Sequence, residues 1–389
     1  MLYNFWIATQ DWLEKTGLDS IFMVLDQTTF RAVAAILLSF FFVMLLGRRT
    51  IGWLLKQKIG DSPEFYRADL NELMKSKANT PTMGGILIAG AILFSTLLLA
   101  DLTNFYTHLA LLTLVWLTVL GGVDDWLKLT AARRSPGSRE GLRTWEKLVF
   151  QVGLSVLLGY FLYTHGDNAD VEHDLPHALC LPFQATWHVN EINPSLIFLS
   201  LPVFMLITFV VVTGTSNAVN LSDGMDGLAS GIAGILSFLM LILALIAGTR
   251  QYAHALLLPY VPNAAELAVV AGGMTGACMG FLWFNCAPAK VFMGDAGSLP
   301  LGGMLGLIAV AARQELLLFV AGGVLVMEVI SVIMQVSYFR YSGGKRIFRC
   351  APIHHHFHLA GWTEQQVVVR FWLITTVLAT VALALVKLR

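Results

Sequence analysis

Charge is what this sequence has least of. Only 13% of its 389 residues are Asp, Glu, Lys or Arg, about half of the ~25% usual in soluble domains. Against that stand 56% hydrophobic residues and a mean hydropathy of +0.69. An ordinary soluble domain is excluded, and a polytopic membrane protein is indicated. Net charge is missing too: 25 basic and 25 acidic residues cancel. The overall balance signals no partner, and no nucleic-acid partner is expected; only the distribution of charge carries information. Cysteine is scarce. Cys180, Cys278, Cys286 and Cys350 show no paired spacing, which argues against a disulfide framework or a zinc site. No basic stretch precedes an apolar core at the N-terminus, so no cleaved signal peptide is expected. Residues 1–20, with Trp6 and Trp12, read as an interfacial segment. Long-period repeats and low-complexity tracts are also absent, so one membrane domain spanning 1–389 is expected, with no soluble domain attached.

What is present is a series of apolar runs long enough to cross a bilayer, which takes about 20 residues. Ten candidates are found, at 22–46, 82–100, 107–123, 147–163, 195–213, 227–247, 264–284, 299–312, 316–338 and 367–386. The fold expected is an all-α integral membrane protein of about ten transmembrane helices. The eighth run is short and rich in glycine (Gly302, Gly303, Gly306), and the ninth contains Glu328.

Basic residues sort the connecting loops. The loops at 48–80, 124–146, 214–226, 285–298 and 339–366, with Lys147 at a helix start, carry 18 of the 25 lysines and arginines, against six on the other side; Arg370 completes the count. By the positive-inside rule these five loops are cytoplasmic and both termini are periplasmic. The outer segment 164–194 holds His165, His173, His177 and His188 among several acids. Their spacing is irregular and prolines interrupt it, so a solvated insertion is the better reading than a metal site.

Unusual polar residues collect in the cytoplasmic loops. The run that ends at Val123 meets two adjacent carboxylates, Asp124 and Asp125, with Lys128 one turn later. Charges in hydrocarbon cost about 2.5–3.5 kcal/mol each on insertion scales, so the pair belongs where a helix meets water. Their mutual repulsion, on the order of 3 kcal/mol at ~6 Å and an effective dielectric of ~20, calls for a cation; a solvated helix end is the plainer alternative. In Asn217-Ala-Val-Asn-Leu-Ser-Asp-Gly-Met-Asp-Gly227, the pairs Asn220/Asp223 and Asp223/Asp226 are three apart and, if helical, share a face. A capped turn is the alternative there. In Asn285-Cys-Ala-Pro-Ala-Lys-Val-Phe-Met-Gly-Asp-Ala-Gly-Ser298, Asp295 offers the carboxylate oxygen that Mg²⁺ prefers and commonly shares with phosphates. Phe292 at the same mouth suits a stacked base or an interfacial anchor. Ala351-Pro-Ile-His-His-His-Phe-His358 follows Lys345, Arg346 and Arg349. Its imidazoles suit a transition metal, a diphosphate or proton transfer near pH 7, although no cysteine or carboxylate close in sequence completes a metal site. Lys77, just before Thr80-Pro-Thr-Met-Gly-Gly85, joins Lys128 and Lys147 as lysines at helix ends placed to hold phosphate. Five carboxylates, lysines and histidines on one membrane face imply Mg²⁺-dependent phosphoryl chemistry.

These stretches resemble the phospho-N-acetylmuramoyl-pentapeptide transferase family, within the polyprenyl-phosphate N-acetylhexosamine-1-phosphate transferases. The resemblance covers nearly the whole chain, and the triple histidine separates it from relatives that transfer N-acetylglucosamine phosphate. The outer insertion is longer than in many members. The resemblance implies a bacterial inner-membrane enzyme that joins UDP-N-acetylmuramoyl-pentapeptide to undecaprenyl phosphate, giving lipid I and UMP, as a homodimer and with Mg²⁺ as cofactor. By matching positions it implies Asp295 as the metal ligand, Asp124 as a base toward the lipid phosphate, and Asp125 as a holder of metal or substrate. Asn220 and Asp223 match catalytic polar positions, and Asp226, Lys77 and Phe292 match a uridine pocket. Thr82, Lys128, Lys147, Asn285, His354, His355 and His356 match phosphate- or substrate-handling positions, with His354 in the catalytic set. A cation-coupled transporter is a reading of another class, but transporters place polar sites at mid-bilayer in broken helices, whereas these acids sit at helix ends on one side. A purely structural scaffold would not need five aspartates there.

Overall fold

A computed structural model describes residues 1–16, 22–57, 80–134, 141–167, 175–188 and 191–387. Helix α1 (Leu2–Thr16) is followed by α2 (Thr28–Lys56), α3 (Gly85–Leu99), α4 (Phe105–Arg134), α5 (Thr144–Asp167), α6 (Leu201–Ser222), α7 (Leu228–Gly248) and the short α8 (Arg250–Ala255). Then come α9 (Leu267–Asn285), α10 (Asp295–Ala311), α11 (Glu315–Ala321), α12 (Gly323–Tyr341), α13 (Ile353–Leu359) and α14 (Glu364–Lys387). Among the described residues eight helices are long and apolar enough to cross a membrane, and two shorter apolar helices, Gly85–Leu99 and Asp295–Ala311, accompany them. The all-α multi-pass architecture expected from the apolar runs is the one found.

α9 and α10 lie at the centre. α9 packs on α2, α3 and α7, while α10 packs on α4 and α6. All residues of α10 are buried, as are nearly all of α9. A helix that is apolar all round belongs in an interior, and Gly302 and Gly306 of the eighth run allow α6 to approach closely. The outer helices turn large apolar side chains outward, among them Leu45, Val119, Phe150, Leu206 and Val377. These are the lipid-facing residues of a protein whose solvent is hydrocarbon.

The structure departs from the sequence reading in several places. The ninth run is two helices, α11 and α12, that meet at Gly322. The meeting point opens an apolar groove against α6, lined by Val211, Ala218, Leu318, Phe319, Val326 and Ile330. Asp124 and Asp125 do not end a helix, because α4 continues to Arg134 and neighbouring helices bury both acids. α6 likewise continues through Ser222, so Asn220 is helical while Asp223 caps the end; Asp223 and Asp226 therefore lie in a turn rather than on one helix face. The described part of the outer segment is not simply solvated. Two antiparallel ribbons nest there, β1 (Ala178–Leu179) with β4 (Ile197–Phe198), and β2 (Trp187–His188) with β3 (Glu191–Ile192). His177 is buried with its ring stacked on Tyr163 at 4.1 Å. Arg313 ties this segment down: its Nε donates to the Ala178 carbonyl at 3.0 Å, and its Nη1 pairs with Glu315 at 2.8 Å.

At the same end of the bundle α1 packs on α3. The amino terminus donates to the carbonyl of Leu97. Asn4 donates to Asp101 at 3.1 Å. Buried Arg31 makes a two-pronged pair with Glu266, at 2.6 and 2.8 Å.

Candidate active site

The ends of α4, α6 and α9 and the starts of α5, α7 and α10 converge at the other end of the bundle. Asp124 and Asp125 are adjacent on α4, so their side chains point about 100° apart and find different partners. Asp124 Oδ1 accepts from the Leu142 amide at 2.7 Å. Its Oδ2 takes Lys128 Nζ at 2.6 Å and Lys147 Nζ at 2.7 Å. Lys147 also reaches Asp295 Oδ2 at 2.6 Å, and Lys128 lies 3.3 Å from Asp295 Oδ1. The cation that the acidic pair called for is thus partly supplied by two lysines, one of them from the next helix.

Asp125 faces the start of α10. Its oxygens accept from the amides of Asp295 at 3.2 Å and Ala296 at 3.0 Å, so it caps that helix from outside, where the positive end of the helix dipole favours a carboxylate. Gly294 makes the turn possible with φ +71° and ψ 177°, a conformation essentially confined to glycine; a Cβ there would also stand 2.5 Å from Asp125 Oδ2. From α6, Asn220 Nδ2 donates to Asp295 Oδ1 and to Ser298 Oγ, each at 2.9 Å. Asp223 accepts from the Gly294 amide at 3.1 Å. Burial, and next the Asp295 carboxylate, push the Asp223 carboxyl well above the usual carboxylate range.

One oxygen from each of Asp124, Asp125 and Asp295 can be chosen so that all lie within 4.8 Å of one another. Asp124, Asp125 and Asp295, with Asp223 beside them, outnumber the two lysines they meet. Hard oxygen donors in that excess fit a divalent cation such as Mg²⁺.

The remaining expected residues frame this centre. Asp226 Oδ2 accepts from the Ala289 amide at 2.9 Å, and its own amide donates to Glu364 at 2.8 Å. Asn285 is buried among protein partners: its Oδ1 accepts from Gly227 N (3.1 Å) and Ser230 Oγ (2.9 Å), and its Nδ2 donates to the Val291 carbonyl at 2.9 Å. It pins the start of α7 to the loop that carries Phe292. The Phe292 amide donates to Pro81 O at 2.8 Å, and its carbonyl accepts from Gly84 N at 2.9 Å, which brings half-buried Thr82 beside Gly294. Lys77 lies outside the described residues.

The three histidines divide. His354 and His355 are buried, with ring centroids 4.2 Å apart, and both turn an Nε2 toward Gly224 in the turn between Asp223 and Asp226. His356 turns away and accepts from the Arg349 amide at 3.1 Å. Glu328, alone in its apolar run by sequence, lies 3.1 Å from His354 Nδ1; the carboxylate missing beside the histidines in sequence is supplied by α12.

Sequence reasoning passed over the polar layer behind the acids. Gln151 Nε2 donates to Ser216 Oγ at 3.1 Å, Ser216 to the Leu299 carbonyl at 3.0 Å, and Asn217 to Gln151 Oε1 at 2.8 Å. A glutamine inside an apolar run was the available signal, since such a group needs partners in hydrocarbon. The Leu142 amide had no signal, because it acts through the backbone, and Glu364 was passed over although its side-chain carboxylate accepts from the Asp226 amide.

Comparison with known proteins agrees with this geometry. A family model described as glycosyl transferase family 4 matches residues 107–313, and a phospho-N-acetylmuramoyl-pentapeptide-transferase signature matches residues 77–88. The chain is 40% identical to the phospho-N-acetylmuramoyl-pentapeptide-transferase of Thermodesulfovibrio yellowstonii over 389 residues, 100% of both chains. It is 43% identical to the enzyme of that name from Nitratidesulfovibrio vulgaris over 95% of this chain and 96% of the relative, and 43% identical to that from Citrifermentans bemidjiense over the same shares. With that identity along its entire length, and with the signature falling on the segment that pairs with the Asp295 loop, the chain belongs to the phospho-N-acetylmuramoyl-pentapeptide-transferase family.

Proposed function

We propose that this protein is a single membrane transferase domain, residues 1–389, that moves phospho-N-acetylmuramoyl-pentapeptide from its UDP-linked donor to undecaprenyl phosphate. The products are UMP and lipid I, and the site opens on the cytoplasmic face of a bacterial inner membrane, in a homodimer. The observation that carries the reading is the convergence of Asp124, Asp125 and Asp295 around Lys128 and Lys147 in a chain matched end to end by transferases of that name.

The reaction forms a bond from an oxygen of the lipid phosphate to the β-phosphorus of the donor and breaks the bond from that phosphorus to the bridging oxygen, which leaves with UMP. A phosphate monoester has its second pKa near about 6, so the nucleophile is largely dianionic at neutral pH and needs little help from a base. Asp124, engaged by two lysines and an amide, is better suited to hold Lys128 and Lys147 in place than to take a proton. Those lysines then present charge to the transferring phosphate, with rate gained by positioning and electrostatics. Asp295, with Asp125 beside it, would hold Mg²⁺, which when bound neutralises the diphosphate and the departing UMP. Asn220 orients Asp295 through one hydrogen bond. Asp226, Phe292, Thr82, Lys77 and His355 are assigned to the nucleotide-sugar, and His354 to its diphosphate. The groove between α6 and the α11–α12 break is apolar and suits a prenyl chain.

The test is UMP release by purified protein supplied with undecaprenyl phosphate, Mg²⁺ and one UDP-sugar at a time. Turnover is expected with the muramoyl-pentapeptide donor and not with UDP-N-acetylglucosamine. Equal rates with both would overturn the donor assignment.

A further inference from the structure

We propose that Glu328 is a positioning residue of this reaction: from the apolar body of α12 its carboxylate holds Nδ1 of His354, and so keeps the Nε2 edge of that ring turned to the Asp223–Asp226 turn. The proposal rests on the function argued above. A carboxylate inside a membrane helix costs about 2.5–3.5 kcal/mol on insertion scales, so its place there calls for a partner, and the partner is His354 at 3.1 Å. Both side chains are fully buried, at 0% exposure. An ionised Glu328 can only accept, which places a ring proton on Nδ1 and, in the neutral ring, leaves the lone pair on Nε2. Nε2 has no hydrogen-bond partner among the described residues although it is buried. It faces Gly224 so closely that a Cβ there would lie 2.5 Å away. Gly224 adjoins Asp223, whose carboxylate accepts from the Gly294 amide next to Asp295. The other titratable ring packed on His354 is His355, and Ser331 bonds only the backbone carbonyl of Glu328.

An inter-helix staple between α12 and α13 would use the same contact, but it predicts something different. A staple costs stability, whereas a lost tautomer costs kcat with the fold intact. Glu328→Leu removes the acceptor in a setting where an apolar side chain is tolerated, and Glu328→Gln keeps one acceptor oxygen.

The experiment measures kcat and donor KM for Glu328→Leu, Glu328→Gln, His354→Ala and the Glu328→Leu/His354→Ala pair, with thermal unfolding as the folding control. It also records ¹⁵N shifts of the His354 ring. Glu328→Leu is expected to lower kcat about 10²-fold, the low end for a displaced proton-handling group, with donor KM within about threefold. Glu328→Gln should recover about tenfold of that loss. Glu328→Leu should cost less than about twofold when His354 is already alanine, because the residue acts through the ring. The ring should show a protonated Nδ1 and a bare Nε2 in the native protein, and a mixture of tautomers in Glu328→Leu. Losses that multiply in the double variant, an unchanged kcat in Glu328→Leu, or an unchanged tautomer would overturn the proposal. Where His354→Ala falls below detection, the spectrum decides. If the native enzyme makes no UMP from the muramoyl-pentapeptide donor, the functional assignment fails, and the ring spectrum still decides the role of Glu328.

Discussion

Two lysines and an asparagine converge on the carboxylate of Asp295, so a change of one atom there is felt by all three. Asp295→Asn is expected to lower UMP release at least about 10³-fold while the protein remains folded. The metal reading is checked separately by thermal unfolding: Mg²⁺ at about 100 times its Kd should stabilise the native protein by ~2.7 kcal/mol and Asp295→Asn hardly at all. Mg²⁺ affinity should also fall as pH falls, because the carboxylates must be deprotonated to bind. Asp223 titrates well above the usual carboxylate range, so the weakening should begin at a higher pH than an ordinary aspartate would give. Calorimetry in buffers of different ionisation heat should show protons released on binding. The adjacent acids should separate. Asp125→Asn gives up one of two acceptors that cap α10, shifts Asp295, and should raise the Mg²⁺ needed for half-maximal rate. Asp124→Asn loosens both lysines and should lower kcat with little change in Mg²⁺ dependence.

Among the elements, the spans were legible because hydrocarbon imposes one simple rule, long apolar runs, but their ends were not: α4 runs on to Arg134 and α6 through Ser222, inside stretches expected to be loops. Breaks inside a span were not legible: Gly322 separates α11 from α12 within one unbroken apolar run. The acids at 124, 125, 223 and 295 were found because charge is rare in this chain. Asn285, by contrast, looks the same in sequence whether it touches substrate or, as here, fastens α7 to the Phe292 loop. Asn285→Ala strands buried polar groups at about 1–3 kcal/mol each, and calorimetry should show a lower Tm. At the opposite end, Arg31→Met leaves Glu266 buried without its pair and should cost about 3–5 kcal/mol. Adding Glu266→Leu should restore most of that stability, and kcat of the double variant at permissive temperature should match the native enzyme.

For the whole molecule, the native thiols report its orientation. Cys286 is exposed beside the site, whereas Cys180 and Cys278 are buried. A membrane-impermeant maleimide should therefore label inverted vesicles and not intact spheroplasts, and Cys286→Ser should remove most of the signal; labelling of spheroplasts would reverse the proposed topology. The buried α10 also bears on how the protein is made. At 17 residues with an acid at its head, it falls below the ~20 that a lone spanning segment needs. Its packing partners α4 and α6 precede it in the chain and leave the ribosome first. The nascent protein thus holds a cleft ready for a segment the lipid alone would retain poorly, and the reaction centre closes only when that late helix slots in. Chains arrested before residue 295 should be short-lived in the cell, and pulse labelling should find them degraded faster than chains arrested after residue 311.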